Sequence, residues 1–159
     1  MTIDIVYKFL TSDHGFQIGY SGIRFKKLRD LDSVATGFEQ DFEGMSFNYD
    51  RDKDWPKNWL LIGYDRVVGD PVIIDAKSEN LVVMTAIKSE KWQSFVIADS
   101  FTNFVKIVEQ FKAISTGREN PEALQQNPYN STELNQFMNS IRNSNPKTDV
   151  SYWQDYFKL

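Results

Sequence analysis

The most constraining feature of the chain is a series of four short apolar runs, Asn58 to Gly63, Pro71 to Asp75, Leu81 to Ile87 and Trp92 to Ala98. Turn signals separate them: Gly69-Asp70-Pro71, Ser78-Glu79-Asn80 and Ser89-Glu90-Lys91. The β-branched run Val72-Ile73-Ile74 is a strand signature. Four short strands at this spacing predict an antiparallel meander. Asp99-Ser100 then reads as a helix cap, because a side-chain oxygen there can accept an orphan backbone N–H. Phe101, Phe104, Val105, Val108 and Phe111 follow at helical spacing, and Gly117 is the expected stop.

The flanks add weaker elements. Ile3, Val6, Tyr7 and Leu10 share one face of a short helix that Asp13-His14-Gly15 would end. Phe16, Ile18 and Tyr20 alternate as a strand, with Ser21-Gly22 as a turn and Ile23 and Phe25 on the hairpin partner. Leu31, Val34, Ala35, Phe38 and Phe42 predict a helix over Asp30 to Glu43. Asn120-Pro121 opens a brief helix through Gln126, since Pro fits the first helical position. Ser131 or Thr132 caps another, with Leu134, Phe137, Met138 and Ile141 inward. Tyr152, Trp153, Tyr156 and Phe157 form an aromatic cluster that docks the C-terminus. No repeat or boundary divides the 159 residues, so the reading is one α+β domain over 1–159, with residues 118–159 a helical extension.

Composition narrows the chemistry. With no Cys and a single His, disulfides, thiolate nucleophiles, Cys-based zinc sites and multi-His zinc sites are excluded. A formal net charge of −4 argues against nucleic acid as a partner, because phosphate contacts need clustered Lys and Arg. The apolar runs are far shorter than the ~20 residues of a membrane helix, and no leader pattern opens the chain. The expected location is the cytoplasm, without membrane or cofactor.

Catalytic motifs fail residue by residue. Gly19-Tyr20-Ser21-Gly22 would need Gly where Ile23 stands to form a nucleophile elbow. His14 reads as a surface residue after a helix. An EF-hand loop starting at Asp50 would need Gly and Glu where Trp55 and Leu61 stand. Asp50-Arg51-Asp52-Lys53-Asp54 is therefore a solvated acidic loop or a surface for a basic partner. Trp59 and Trp92 read as sheet packing, Asp75 as a strand end that ties a turn, and Asp70 as a local backbone partner.

The ordered series Trp59-Leu60-Leu61-Ile62-Gly63-Tyr64-Asp65, Gly69-Asp70-Pro71-Val72-Ile73-Ile74-Asp75, Trp92, Ile97-Ala98-Asp99-Ser100-Phe101 and Phe104-Val105 resembles the SUKH superfamily over roughly residues 59 to 112. That superfamily holds bacterial toxin-immunity proteins and a fungal regulator of cell-wall glucan synthesis. The resemblance implies a twisted, mainly antiparallel sheet with helices mostly on one side. It also implies a non-enzymatic protein that binds a cognate toxin, most plausibly a basic nuclease, or alternatively a scaffold or regulator. On the immunity reading, Glu39, Asp41, Glu43, Asp50, Asp52 and Asp54 would steer the partner. Tyr49, Trp55 and Tyr64 would anchor it, or serve as core instead. Open sheet edges leave room for a homodimer.

Overall fold

The structure is a computed structural model that describes residues 2–27 and 49–158. The helix expected over Asp30 to Glu43, and the acids Glu39, Asp41 and Glu43, lie outside the described residues. Helix α1 (Asp4–Ser12) precedes β1 (Gly15–Ile18) and β2 (Ser21–Phe25). After a 3₁₀ turn at Tyr49–Arg51 come β3 (Trp59–Asp65), β4 (Pro71–Asp75), β5 (Val83–Lys88) and β6 (Trp92–Ala98). Then follow α2 (Phe101–Ser115), α3 (Pro121–Gln126), α4 (Ser131–Ser144), α5 (Ser151–Gln154) and a closing 3₁₀ turn, Asp155–Phe157. The six strands form one sheet in sequence order, every pair antiparallel. The fold is α+β, and the meander expected from residues 58–98 is its centre.

Several local expectations shift by a residue or two. The first hairpin turns at Gly19-Tyr20, since Ile18 pairs with Ser21. Gly19 takes φ +59, the conformation a two-residue hairpin loop asks of its first position. Ser100 alone caps α2, its Oγ accepting from Asn103 N at 3.1 Å. Asp99 instead holds the C-terminal extension, accepting from Lys147 N at 3.2 Å and Thr148 Oγ1 at 3.1 Å. Asn130, rather than Ser131 or Thr132, caps α4 through Glu133 N at 2.8 Å. Asn120 caps α3 as expected.

The helices cover one face of the sheet. Val6, Leu10, Phe16, Ile18, Ile23, Phe25, Ile62, Val72 and Ile74 meet the apolar side of α2 in one continuous core. Phe111 is its hub, with ring centroids of Phe16 and Phe137 each 4.6 Å away and Trp153 at 5.4 Å. Trp153 is fully buried, and its indole N–H donates to the Ile97 carbonyl at 2.7 Å. Arg118 ties α2 to the extension by donating to Ile114 O at 2.8 Å and Asn127 O at 2.7 Å while pairing with Glu133 at 3.1 Å.

The opposite face carries a second core of Trp55, Leu61, Tyr64, Ile73, Met84 and Ala86. A bulge between Leu61 and Gly63 resets the alternation of β3, so Trp59, Leu61 and Tyr64 all reach this face. Gly63 is required there. A Cβ would sit 2.6 Å from the Arg24 carbonyl of β2.

Trp153→Phe keeps much of the apolar surface but strips the Ile97 carbonyl of its donor. It should cost about 1–3 kcal/mol by urea denaturation. Tyr20→Ala, at a hairpin tip 77% exposed, should stay within about 0.5 kcal/mol.

Candidate functional site

Residues 49–58 form a strap across the second face. Its backbone is held by short-range bonds: Asp52 N to Tyr49 O at 3.1 Å, Trp55 N to Asp52 O at 2.9 Å, and Asp54 N to Asp52 Oδ1 at 2.9 Å. Tyr49 Oη donates to the Gly69 carbonyl at 2.5 Å, joining the strap to the β3–β4 turn. Burial, and then the nearby Asp70 carboxylate, push the Tyr49 hydroxyl up to about 12.

Trp55 is the strap's central plug. Its ring lies edge-on to Trp92 at 5.1 Å and to Trp59 at 5.2 Å, and its indole N–H donates to Trp59 O at 3.1 Å. Tyr49 meets Trp92 edge-on at 5.6 Å. Trp55 and Tyr64 are buried, whereas Tyr49, Trp59 and Trp92 remain half-buried. Of the three rings expected as anchors, Trp55 and Tyr64 therefore serve as core, and Tyr49 keeps a partly open ring. Trp59 and Trp92, read from sequence as packing, are the other open rings.

Charges rim this shelf. Lys88, at the end of β5, pairs with Asp52, lies 3.7 Å from Asp54 and sits 5.8 Å from the Trp92 ring. Lys26, 5% exposed, lies 4.0 Å from Asp50. The Asp52 carboxyl is held below the ordinary carboxylate range, chiefly by the Lys88 hydrogen bond and next by the Asp54 N–H. Lys88 is raised by the same hydrogen bond. Asp50, Asp52 and Asp54 thus stand among four cations, Arg51, Lys53, Lys26 and Lys88, and two of those cations engage the strap acids directly. Lys26 and Lys88 were not singled out by sequence. The readable clue was strand parity, which sets Lys88 on the side of Ala86 and Met84.

A cleft of about 250 Å³ lies where the β3–β4 turn meets the C-terminus, lined by Asp65, Asp70, Asp155, Tyr152, Tyr156 and Lys158. Asp65 is occupied locally, its Oδ1 accepting from Val67 N at 2.7 Å and Val68 N at 2.9 Å. This is the backbone role expected of Asp70. Asp70 instead faces the cleft, raised first by burial and then by Asp65. The Tyr152 and Tyr156 hydroxyls bond each other at 2.9 Å, and burial raises both. Among the described residues no three His, Cys, Asp or Glu side chains converge to hold a metal ion. Asp75 ties the β4 turn as expected, accepting from Asn58 Nδ2 at 2.7 Å and Lys77 N at 3.0 Å. His14 is exposed. No helix among the described residues is long and apolar enough to cross a membrane.

Comparison with models of known protein families, with curated proteins and with solved structures finds no match.

The Lys88–Asp52 pair gives the strap a defined pH response. A lowered Asp52 pKa supplies stability above the ordinary carboxylate pKa, and that contribution is lost as pH falls through the lowered value. The raised Lys88 pKa supplies stability below the ordinary lysine pKa and loses it as pH rises through the raised value. Carboxyl NMR should place the Asp52 midpoint below that of a free aspartate. Lys88→Met should move it up.

Proposed function

We propose that this chain is a non-enzymatic protein-binding domain that neutralises a cognate bacterial toxin, with the strap face as its contact surface. The observation that carries the reading is the half-buried ring set Tyr49, Trp59 and Trp92, framed by paired Asp and Lys side chains. Rigid aromatic rings within a charged rim are the make-up of interface hot spots, where a few rings supply most of the affinity. The resemblance of residues 59–112 to the SUKH series gives that partner its class. A basic nuclease fits the −4 net charge of the chain, since opposite net charge speeds encounter. With four cations around Asp50, Asp52 and Asp54, steering comes from the chain as a whole, and the strap supplies anchoring.

Co-expression with any toxin domain encoded beside this gene tests the reading. Growth rescue and co-purification are expected. Trp92→Ala should weaken the complex by about tenfold or more, the effect of a hot-spot truncation. Asp50→Lys should slow association with little change in dissociation. No rescue and no complex would remove the immunity reading and leave the regulator as the alternative.

A further inference from the structure

The β3–β4 turn carries an acid at each end, Asp65 and Asp70. Its backbone is joined twice, by Asp65 N donating to Asp70 O at 2.8 Å and Gly69 N to Asp65 O at 3.1 Å. Both carboxylates line the cleft between this turn and the C-terminus. Their settings differ. Asp65 Oδ1 accepts from two backbone donors, Val67 N and Val68 N. Among the described residues, no hydrogen bond or ion pair reaches the half-buried Asp70 carboxylate. From the C-terminal turns, Tyr152, Tyr156, Asp155 and Lys158 face the cleft, and Lys158 donates to Asp155 at 2.6 Å. Ser21 of β2 adds a neutral hydroxyl. Arg66 of the turn itself lies against Gly22 of β2. On the strap side, Tyr49 bonds the Gly69 carbonyl, and its hydroxyl feels the Asp70 charge. Tyr152 feels that charge from the other side.

We propose that the β3–β4 turn is a proton-operated joint, in which neutral Asp70 seats the turn against the Tyr152–Tyr156 pair and ionised Asp70 loosens that seat. A carboxylate in a half-buried cleft beside a second carboxylate is disfavoured as an anion twice, by lost hydration and by like-charge repulsion. Burial first and Asp65 next raise Asp70 accordingly. One proton from solvent removes both penalties and turns Asp70 into a donor. The Asp65 carboxylate and the tyrosine hydroxyls line the same cleft as acceptors. Those hydroxyls keep their own protons throughout, because burial raises both. The joint extends to the strap through Gly69, the neighbour of Asp70 and the acceptor for Tyr49. On the reading of the strap face as a contact surface, acid steadies one of its open rings; the joint itself does not depend on that reading.

A raised folded-state pKa gives a contribution to stability that is present below the ordinary aspartate pKa and lost as pH rises through the raised value. Asp70→Asn, which keeps the shape without the charge, should therefore raise the urea midpoint at neutral pH. That gain should vanish in acid, where the wild type is itself protonated at Asp70. Carboxyl NMR should place the Asp70 midpoint above that of a free aspartate, and Asp65→Asn should bring it down. The Gly69 and Tyr152 amide signals should move with the Asp70 midpoint in the wild type and not in Asp70→Asn. An Asp70 midpoint at or below that of a free aspartate, or an Asp70→Asn difference in urea midpoint that is constant with pH, would overturn the proposal. The isolated chain suffices, so this outcome is independent of toxin recognition.

Discussion

The fold depends on a central strand that is apolar on both sides. Val72, Ile73 and Ile74 of β4 are all fully buried. Alternation sends Val72 and Ile74 to one face of the sheet and Ile73 to the other. A sheet with such a centre needs a cover on each face, because exposed apolar surface costs about 25 cal/mol per Å². Helices α1, α2, α4 and α5 supply one cover. The strap over residues 49–58 supplies the other, with Trp55 as its plug.

The two covers differ in ways that bear on function. The helical layer is continuous, its core running from Val6 to Tyr156. Among the described residues, the strap's contacts with the sheet include the Tyr49 hydroxyl on Gly69, the Trp55 indole on Trp59, and Lys88 on Asp52. Beside the strap, Trp59 and Trp92 are only half-buried. The surface proposed for a partner is thus a by-product of how the second core is closed, and the same lysine that pins the strap flanks one of its open rings.

Much of this fold was legible in the sequence because the signals were local. The β-branched run at 72–74, the turns between strands, and the cap-to-glycine interval from Ser100 to Gly117 each carry their own physics. Long-range choices were less legible. Whether Asp99 caps α2 or holds Thr148 depends on where residues 145–148 return, and no local pattern encodes that. The same holds for Asp65 and Asp70, two acids flanking one turn, of which only the first bonds its backbone. The role of Tyr64 hinged on the β3 bulge. Without it, alternation from Leu61 would send Tyr64 toward the helices. The acidic strap looked like a steering patch in sequence because its counterions, Lys26 just after β2 and Lys88 at the end of β5, are distant along the chain.

The claim that both faces are closed cores is tested most directly by truncating adjacent residues of β4, one for each face. Ile74→Ala opens a cavity under the helices and Ile73→Ala one under the strap. Urea denaturation should show each losing about 2–5 kcal/mol, the range for a large-to-small change in a packed core. If Ile74→Ala falls in that range while Ile73→Ala costs well under about 1 kcal/mol, the second face is an open surface in solution and the strap does not close it.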